Sequence, residues 1–148
     1  MIICDTREKA NQKILQYFET HKIPYIEQKL ETGDYMASEK MDITIDRKKN
    51  LGELLKNMCS SDKSRFWREI RRSQKEGIKF IILCEHSGRY KTIKDVAEYK
   101  DKYSKVSGRE LMNRMYAAHI AYGVEFLFCD KRSTGRKIVE LLGCGNHD

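Results

Sequence analysis

Asp34, Asp46 and Lys48 are the residues of this 148-residue sequence whose types and spacing best fit one piece of chemistry. They lie in Gly33-Asp34-Tyr35 and Ile43-Thr44-Ile45-Asp46-Arg47-Lys48, on either side of Ser38-Glu39-Lys40-Met41-Asp42. If that middle piece is a hairpin with a three-residue loop centred on Lys40, residues equidistant from Lys40 face each other and Asp34 lands opposite Asp46. Strand alternation then sends Thr44, Asp46 and Lys48 to one face and Ile43 and Ile45 to the other. Two carboxylates supply the hard oxygen ligands that Mg²⁺ prefers. A metal so held polarises a phosphoryl oxygen and lowers the pKa of an attacking water, while a neighbouring ammonium steadies charge that develops in the transition state. Phosphodiester hydrolysis needs such a group. A surface hairpin with solvated charges shows the same alternation, and spacing alone favours that plainer reading. Asp5-Thr6-Arg7-Glu8, at the end of the first apolar run, shifts the balance by bringing further acid and base to a sheet edge.

The elements that must position these residues follow from hydrophobic periodicity and turn residues. The pattern predicts a strand over 2–5, a helix over 10–20 carrying Ile14, Leu15 and Phe18, and an extended stretch from Tyr25 to Leu30. Strands follow over 34–38 and 42–48, then helices over 51–58 and 63–76, the second stopped by Gly77. A buried strand over 79–84 precedes a Lys- and Tyr-rich excursion over 89–105, read as solvated or as a short exposed helix. A helix to about 121 capped by Ser107, a strand over 124–129 and a helix over 135–142 complete the chain. Strands alternating with helices, without a repeat or a Pro/Gly-rich linker, predict one α/β domain over 1–148 with a mixed sheet flanked by helices.

Taken together, these motifs resemble the nuclease domain of the XPF family of structure-specific endonucleases. The matches are Asp5, Arg7 and Glu8 after the first strand, then Gly33, Asp34 and Tyr35, then Asp46, Arg47 and Lys48 after a hydrophobic strand. The resemblance covers about residues 2–85 and implies a restriction-endonuclease-like fold, dependence on Mg²⁺ or Mn²⁺, and cleavage of branched or flapped DNA. It implies metal ligation by Asp34 and Asp46, a catalytic Lys48, and support of the metal or scissile phosphate by Asp5 and Arg7, with Glu8 and Arg47 in the same set. There are three departures. The family's glutamate is Asp46 here, one methylene shorter. A family acid beyond the lysine falls on Gly52, with Glu53 next to it. No tandem helix-hairpin-helix region follows, and much of the family's junction recognition comes from that region, so the resemblance speaks for action on DNA more directly than for structure specificity. A non-catalytic DNA-binding scaffold is the alternative, against which stands the presence of both acids and the lysine.

The rest of the sequence fits a nucleic-acid partner without demanding one. The chain has 29 Lys+Arg against 22 Asp+Glu, a net charge of +7, which suits a polyanion. At about 100° per residue, Arg65, Arg68, Arg71, Arg72 and Lys75 share an arc of about 120° and form a candidate phosphate-binding face bordered by Glu69 and Glu76. A solvated helix face is an equal reading of that arc. Tyr90, Tyr99 and Tyr103 among the lysines of the excursion could stack on bases, but acids interleave there too. His86 is a weak candidate by its place after Glu85.

The five cysteines have no paired metal spacing, and Cys4, Cys84 and Cys129 close apolar runs, which fits buried thiols in a reducing cytoplasmic compartment. Cys144 and His147 are too few for zinc. Nothing in the sequence points to a membrane span, a Gly-rich phosphate loop or an organic cofactor. A homodimer is expected to pair through the C-terminal half, using Leu111, Met112, Met115, Tyr116, Val124 to Phe128, Ile138, Leu141 and Leu142; the alternative reading gives all of these to the monomer core.

Overall fold

Short apolar runs and Gly or Asn punctuation give a six-stranded mixed sheet. A computed structural model describes residues 1–86 and 88–144; the tail pair's His147 lies outside the described residues. The strands are β1 (Ile2–Cys4), β2 (Tyr25–Glu27), β3 (Tyr35–Ala37), β4 (Lys40–Lys48), β5 (Lys79–Cys84) and β6 (Glu125–Phe128), ordered β2-β1-β3-β4-β5-β6. β3 runs antiparallel to both β1 and β4, whereas β1/β2, β4/β5 and β5/β6 are parallel. The helices are α1 (Gln12–Thr20), α2 (Leu51–Met58), α3 (Arg65–Lys75), α4 (Gly108–Tyr122) and α5 (Thr134–Leu142).

Each face of the sheet packs a separate core. Under α2, α3 and α4 lie Leu51, Leu54, Met58, Ile70, Phe80, Ile82, Leu111 and Met115; under α1 and α5 lie Ile2, Ile14, Phe18, Tyr35, Ile45, Ile81, Leu83 and Ile138. Burying each such side chain contributes about 1.5–3 kcal/mol. The anticipated dimer surface is corrected here. Leu111, Met115, Val124, Phe126 and Ile138 are monomer core, because α4 and α5 cover opposite faces of the sheet. Of α4, Tyr116 and Ile120 stay exposed, at 37% and 81%.

The predicted elements reappear with shifted ends. α1 starts at Gln12, not near 10, because Lys9 and Ala10 give their carbonyls to the Arg47 guanidinium and Ala10 takes a positive φ of 54°. The excursion is less solvated than its composition suggests. A capping box between Thr92 and Asp95 opens a 3₁₀ turn over Ile93–Glu98 that packs on α4, with Val96 and Tyr90 buried. Tyr90, Tyr99 and His86 meet edge to face, whereas Tyr103 is 87% exposed. His86 acts in the fold: its Nδ1 accepts the Leu51 N–H at the start of α2, 3.1 Å away.

Candidate active site

The hairpin of β3 and β4 sets the centre of the site. Its tip differs from the expected three-residue loop: Ala37 pairs with Lys40, leaving only Ser38 and Glu39 in the turn. From there β4 advances five positions, Lys40 to Ile45, where β3 advances two, Ala37 to Tyr35, so that Tyr35 pairs with Ile45. This irregularity restores the pairing that brings Asp34 and Asp46 together. The Asp34 N–H donates to the Ile45 carbonyl (2.8 Å), and the Arg47 N–H donates to the Asp34 carboxylate (2.8 Å).

Gly33 is required just before Asp34. Its φ is +72°, and a Cβ there would meet Thr44 Oγ1 at 2.1 Å, where that hydroxyl donates to the Thr32 carbonyl (2.7 Å). A side chain at 33 would therefore push the two strands apart.

Asp34, Asp46 and Lys48 line a cleft of about 280 Å³ with Asp5, Arg7, Gly33, Asn57, Arg65, Phe66 and Glu69. Lys48 Nζ sits 3.0 Å from Asp46 Oδ2, with both side chains largely buried, and 5.4 Å from the centre of the Phe66 ring. Burial opposes the Lys48 charge, yet Asp46, then Asp34 and Glu53, outweigh it and raise its pKa above the ordinary lysine value. Asp34 moves well above the usual carboxylate range: burial is the main cause, the adjacent Asp46 carboxylate the next, and the Arg47 N–H opposes them. Two acids forced together in a desolvated place are a site short of positive charge. That shortage, and a donor set of hard oxygens, fit a divalent ion such as Mg²⁺ or Mn²⁺. Among the described residues, no three Asp, Glu, His or Cys side chains converge closely enough to hold an ion by themselves.

Asp5 and Arg7 flank this group and are tied to each other. Asp5 is buried; its Oδ1 accepts the Leu30 N–H (2.8 Å) and its Oδ2 accepts Arg7 Nε (2.9 Å). Arg7 also donates to the Leu30 carbonyl (2.8 Å), so this pair holds the 30–33 segment that delivers Asp34. The Arg7 guanidinium remains 40% exposed at the mouth of the cleft.

Glu8 and Arg47 are not brought to this group. Alternation along β4 sends Arg47 to the α1/α5 side, where Nε lies 2.9 Å from Glu8 Oε2 and Nη1 lies 3.3 Å from Glu85 Oε1. The Tyr35 hydroxyl donates to Glu8 (2.7 Å), and the Thr134 hydroxyl donates to Glu85. Burial raises the Glu8 pKa, while Tyr35 and then Arg47 oppose it.

The basic arc of α3 divides as well. Arg65 lines the cleft, and Arg68 and Lys75 are exposed. Arg71 donates to the Asp62 carbonyl (2.6 Å), and Arg72 donates to the Glu31 carbonyl and Thr32 Oγ1, tying α3 to the segment before Asp34. The acid position past the lysine is filled differently. At Gly52 a Cβ would lie 3.0 Å from Asp101 Oδ1 and 3.3 Å from the Tyr99 hydroxyl, so the excursion occupies that space.

Sequence reasoning missed Glu69 as a site residue. It stands one helical turn after Arg65 and enters the same cleft, and its carboxyl is pushed up to about 7 by burial first and by Asp46 next. The i, i+4 spacing from Arg65 was its one available signal.

A mixed sheet carrying two acids and a lysine on neighbouring antiparallel and parallel strands is a restriction-endonuclease-like fold. The chain belongs to the ERCC4 domain family, whose model matches residues 4–141. It superposes on XPF from Aeropyrum pernix with a TM-score of 0.70 at 19% identity, covering 95% of this chain and 62% of that one. XPF from Aeropyrum pernix in complex with DNA matches with a TM-score of 0.70 at 20% identity, covering 96% of this chain and 62% of that one. The chain thus spans under two thirds of those proteins. No curated protein matches it.

Proposed function

We propose that this protein is a metal-dependent DNA endonuclease acting on branched, flapped or junction DNA. The observation that carries this reading is the Asp34–Asp46–Lys48 group, gathered in one cleft of an ERCC4 domain with Arg7 and Arg65 at its rim. Asp34 and Asp46 would hold a Mg²⁺ or Mn²⁺ ion. Bound there, the ion supplies Lewis acidity and lowers the pKa of the attacking water. Lys48, kept charged by Asp46, stabilises negative charge on the phosphoryl oxygens as the phosphorus is attacked. Arg7 and Arg65 hold the scissile phosphate, and Arg68 and Lys75 follow the backbone beyond it. Asp5 positions Arg7 and the segment before Asp34, and Glu8 and Arg47 act from the other face as structural supports.

No helix among the described residues is long and apolar enough to cross a membrane. All five thiols are unbridged, which suits a reducing, cytoplasmic setting. If two copies work together on one junction, the exposed side of α4 with Tyr116 and Ile120 offers an apolar surface for pairing.

The test is cleavage of labelled single-stranded, duplex, flap, fork and four-way-junction DNA with Mg²⁺, Mn²⁺ or EDTA. Metal-dependent cuts near a branch point are expected. Undiminished cutting in EDTA, or DNA binding without cutting on every substrate, would return the chain to a scaffold role.

A further inference from the structure

The wall of the cleft opposite β4 belongs to α3, and its acidic side chain is Glu69. Lys48, Arg7 and Arg72 act on it from nearby, and each also has a partner elsewhere. Lys48 is paired with Asp46, Arg7 with Asp5 and the Leu30 carbonyl, and Arg72 with the Glu31 carbonyl and Thr32. Among the described residues the Glu69 carboxylate has neither a hydrogen bond nor an ion pair, although the Ser73 hydroxyl donates to its backbone carbonyl (2.9 Å); what acts on the carboxylate is burial and the charge of its neighbours, Asp46 first among them. A half-buried acid that ignores Arg65 one turn away and faces another acid is an expensive arrangement unless something positive comes between them.

Two further features suit that something. Asp46 is the shorter of the two carboxylic side chains, and Glu69 brings the longer one to the same cleft from the α3 wall. Arg72 fastens α3 to the Glu31–Thr32 segment, which holds the helix in place relative to Asp34. As they stand, the three acids do not converge on one point; rotation about the side-chain bonds of Glu69 is the motion that would bring them together.

We propose that Glu69 is a third oxygen donor for the divalent cation, closing from α3 onto the site formed by Asp34 and Asp46. This rests on the endonuclease reading above, and it makes α3 part of the metal site as well as part of the DNA-binding face. Ion binding and backbone binding then share one helix, so an ion in the cleft orders the arginines that receive the phosphates.

The experiment measures Mn²⁺ binding to the intact protein without DNA, by electron paramagnetic resonance of the unbound ion, together with thermal melting at pH 8.5. Wild type, Glu69→Gln, Glu69→Asp and Asp46→Asn are compared. Glu69→Gln should weaken Mn²⁺ binding about tenfold or more, and Glu69→Asp should recover part of the loss. Metal-free Glu69→Gln should melt about 2–4 °C above wild type because an unpaired charge has gone, and added Mn²⁺ should raise its Tm less than it raises that of wild type. A merely structural Glu69 would give the opposite melting shift. If Glu69→Gln binds Mn²⁺ as wild type does while Asp46→Asn binds it poorly, the Glu69 inference falls and the endonuclease reading stands. Failure of wild type to bind Mn²⁺ overturns both.

Discussion

The two faces of β4 carry the same kinds of residue and treat them in opposite ways. On the α1/α5 face, Arg47 is enclosed by Glu8, Glu85 and the Lys9 and Ala10 carbonyls, with Tyr35 and Thr134 donating to the two acids. On the α2/α3 face, Asp34, Asp46 and Glu69 share the single close ammonium of Lys48. The first face buries its charges and supplies them with partners, although Arg47 and Glu85 border a surface pocket; the second gathers its acids in an open cleft and is short of positive charge. Consecutive residues of one strand thus serve the fold and, on the proposed reading, the chemistry. The difference teaches that a charged motif has to be read one residue at a time: Arg47 and Lys48 are adjacent in sequence and separated by the thickness of the sheet.

Four variants would break or sharpen that contrast. The largest effect is expected for Asp46→Asn, which should lower single-turnover cleavage by more than about two orders of magnitude, since even groups that only orient metal ligands are worth 10–100-fold; a rate within tenfold of wild type in quench-flow contradicts the division. Arg47→Ala should do the reverse and act on stability. It leaves Glu8 and Glu85 buried without their counter-charge, a loss of about 3–5 kcal/mol that urea denaturation would read; a midpoint close to that of wild type would mean the Arg47 cluster contributes little. Lys48→Ala should lower kcat with little change in substrate affinity, because the ammonium acts where charge develops. A loss confined to affinity would make Lys48 a backbone contact. The smallest effect is expected for Arg68→Ala combined with Lys75→Ala. Removing two phosphate contacts should flatten the slope of log affinity against log salt by about 1.8, as read by fluorescence anisotropy, and leave the saturated cleavage rate alone; an unchanged slope would assign those side chains to solvent.

Much of this was legible because period-two alternation is a local property of a strand. It placed Asp46 and Lys48 together, whereas Asp34 was made their neighbour by a hairpin register whose three-residue loop is replaced by a two-residue turn and a register shift. The same alternation separates Arg47 from Lys48, and following the resemblance for Glu8 and Arg47 set that signal aside. Other features depend on contacts far apart in the chain. Glu69 reaches the cleft only because α3 packs beside β4, and nothing within α3 specifies that neighbour. The late start of α1 depends on a guanidinium 37 residues beyond Ala10. The apolar residues of α4 and α5 looked surplus because a sequence does not show that the sheet has two faces to cover. Arg72 read as a phosphate contact because its tie to the Glu31 carbonyl is likewise tertiary.

The five-for-two stretch between Ala37 and Ile45 works as a slip joint in the hairpin. A rigid ladder would transmit any change at its tip to the far end, and a shift of one residue would turn every side chain over. Here the exposed residues Lys40, Met41 and Asp42 can absorb added or lost length, while the pairing of Tyr35 with Ile45 keeps its alignment. The tip is therefore a natural place to graft a fluorophore or an affinity loop without disturbing the acids at the other end.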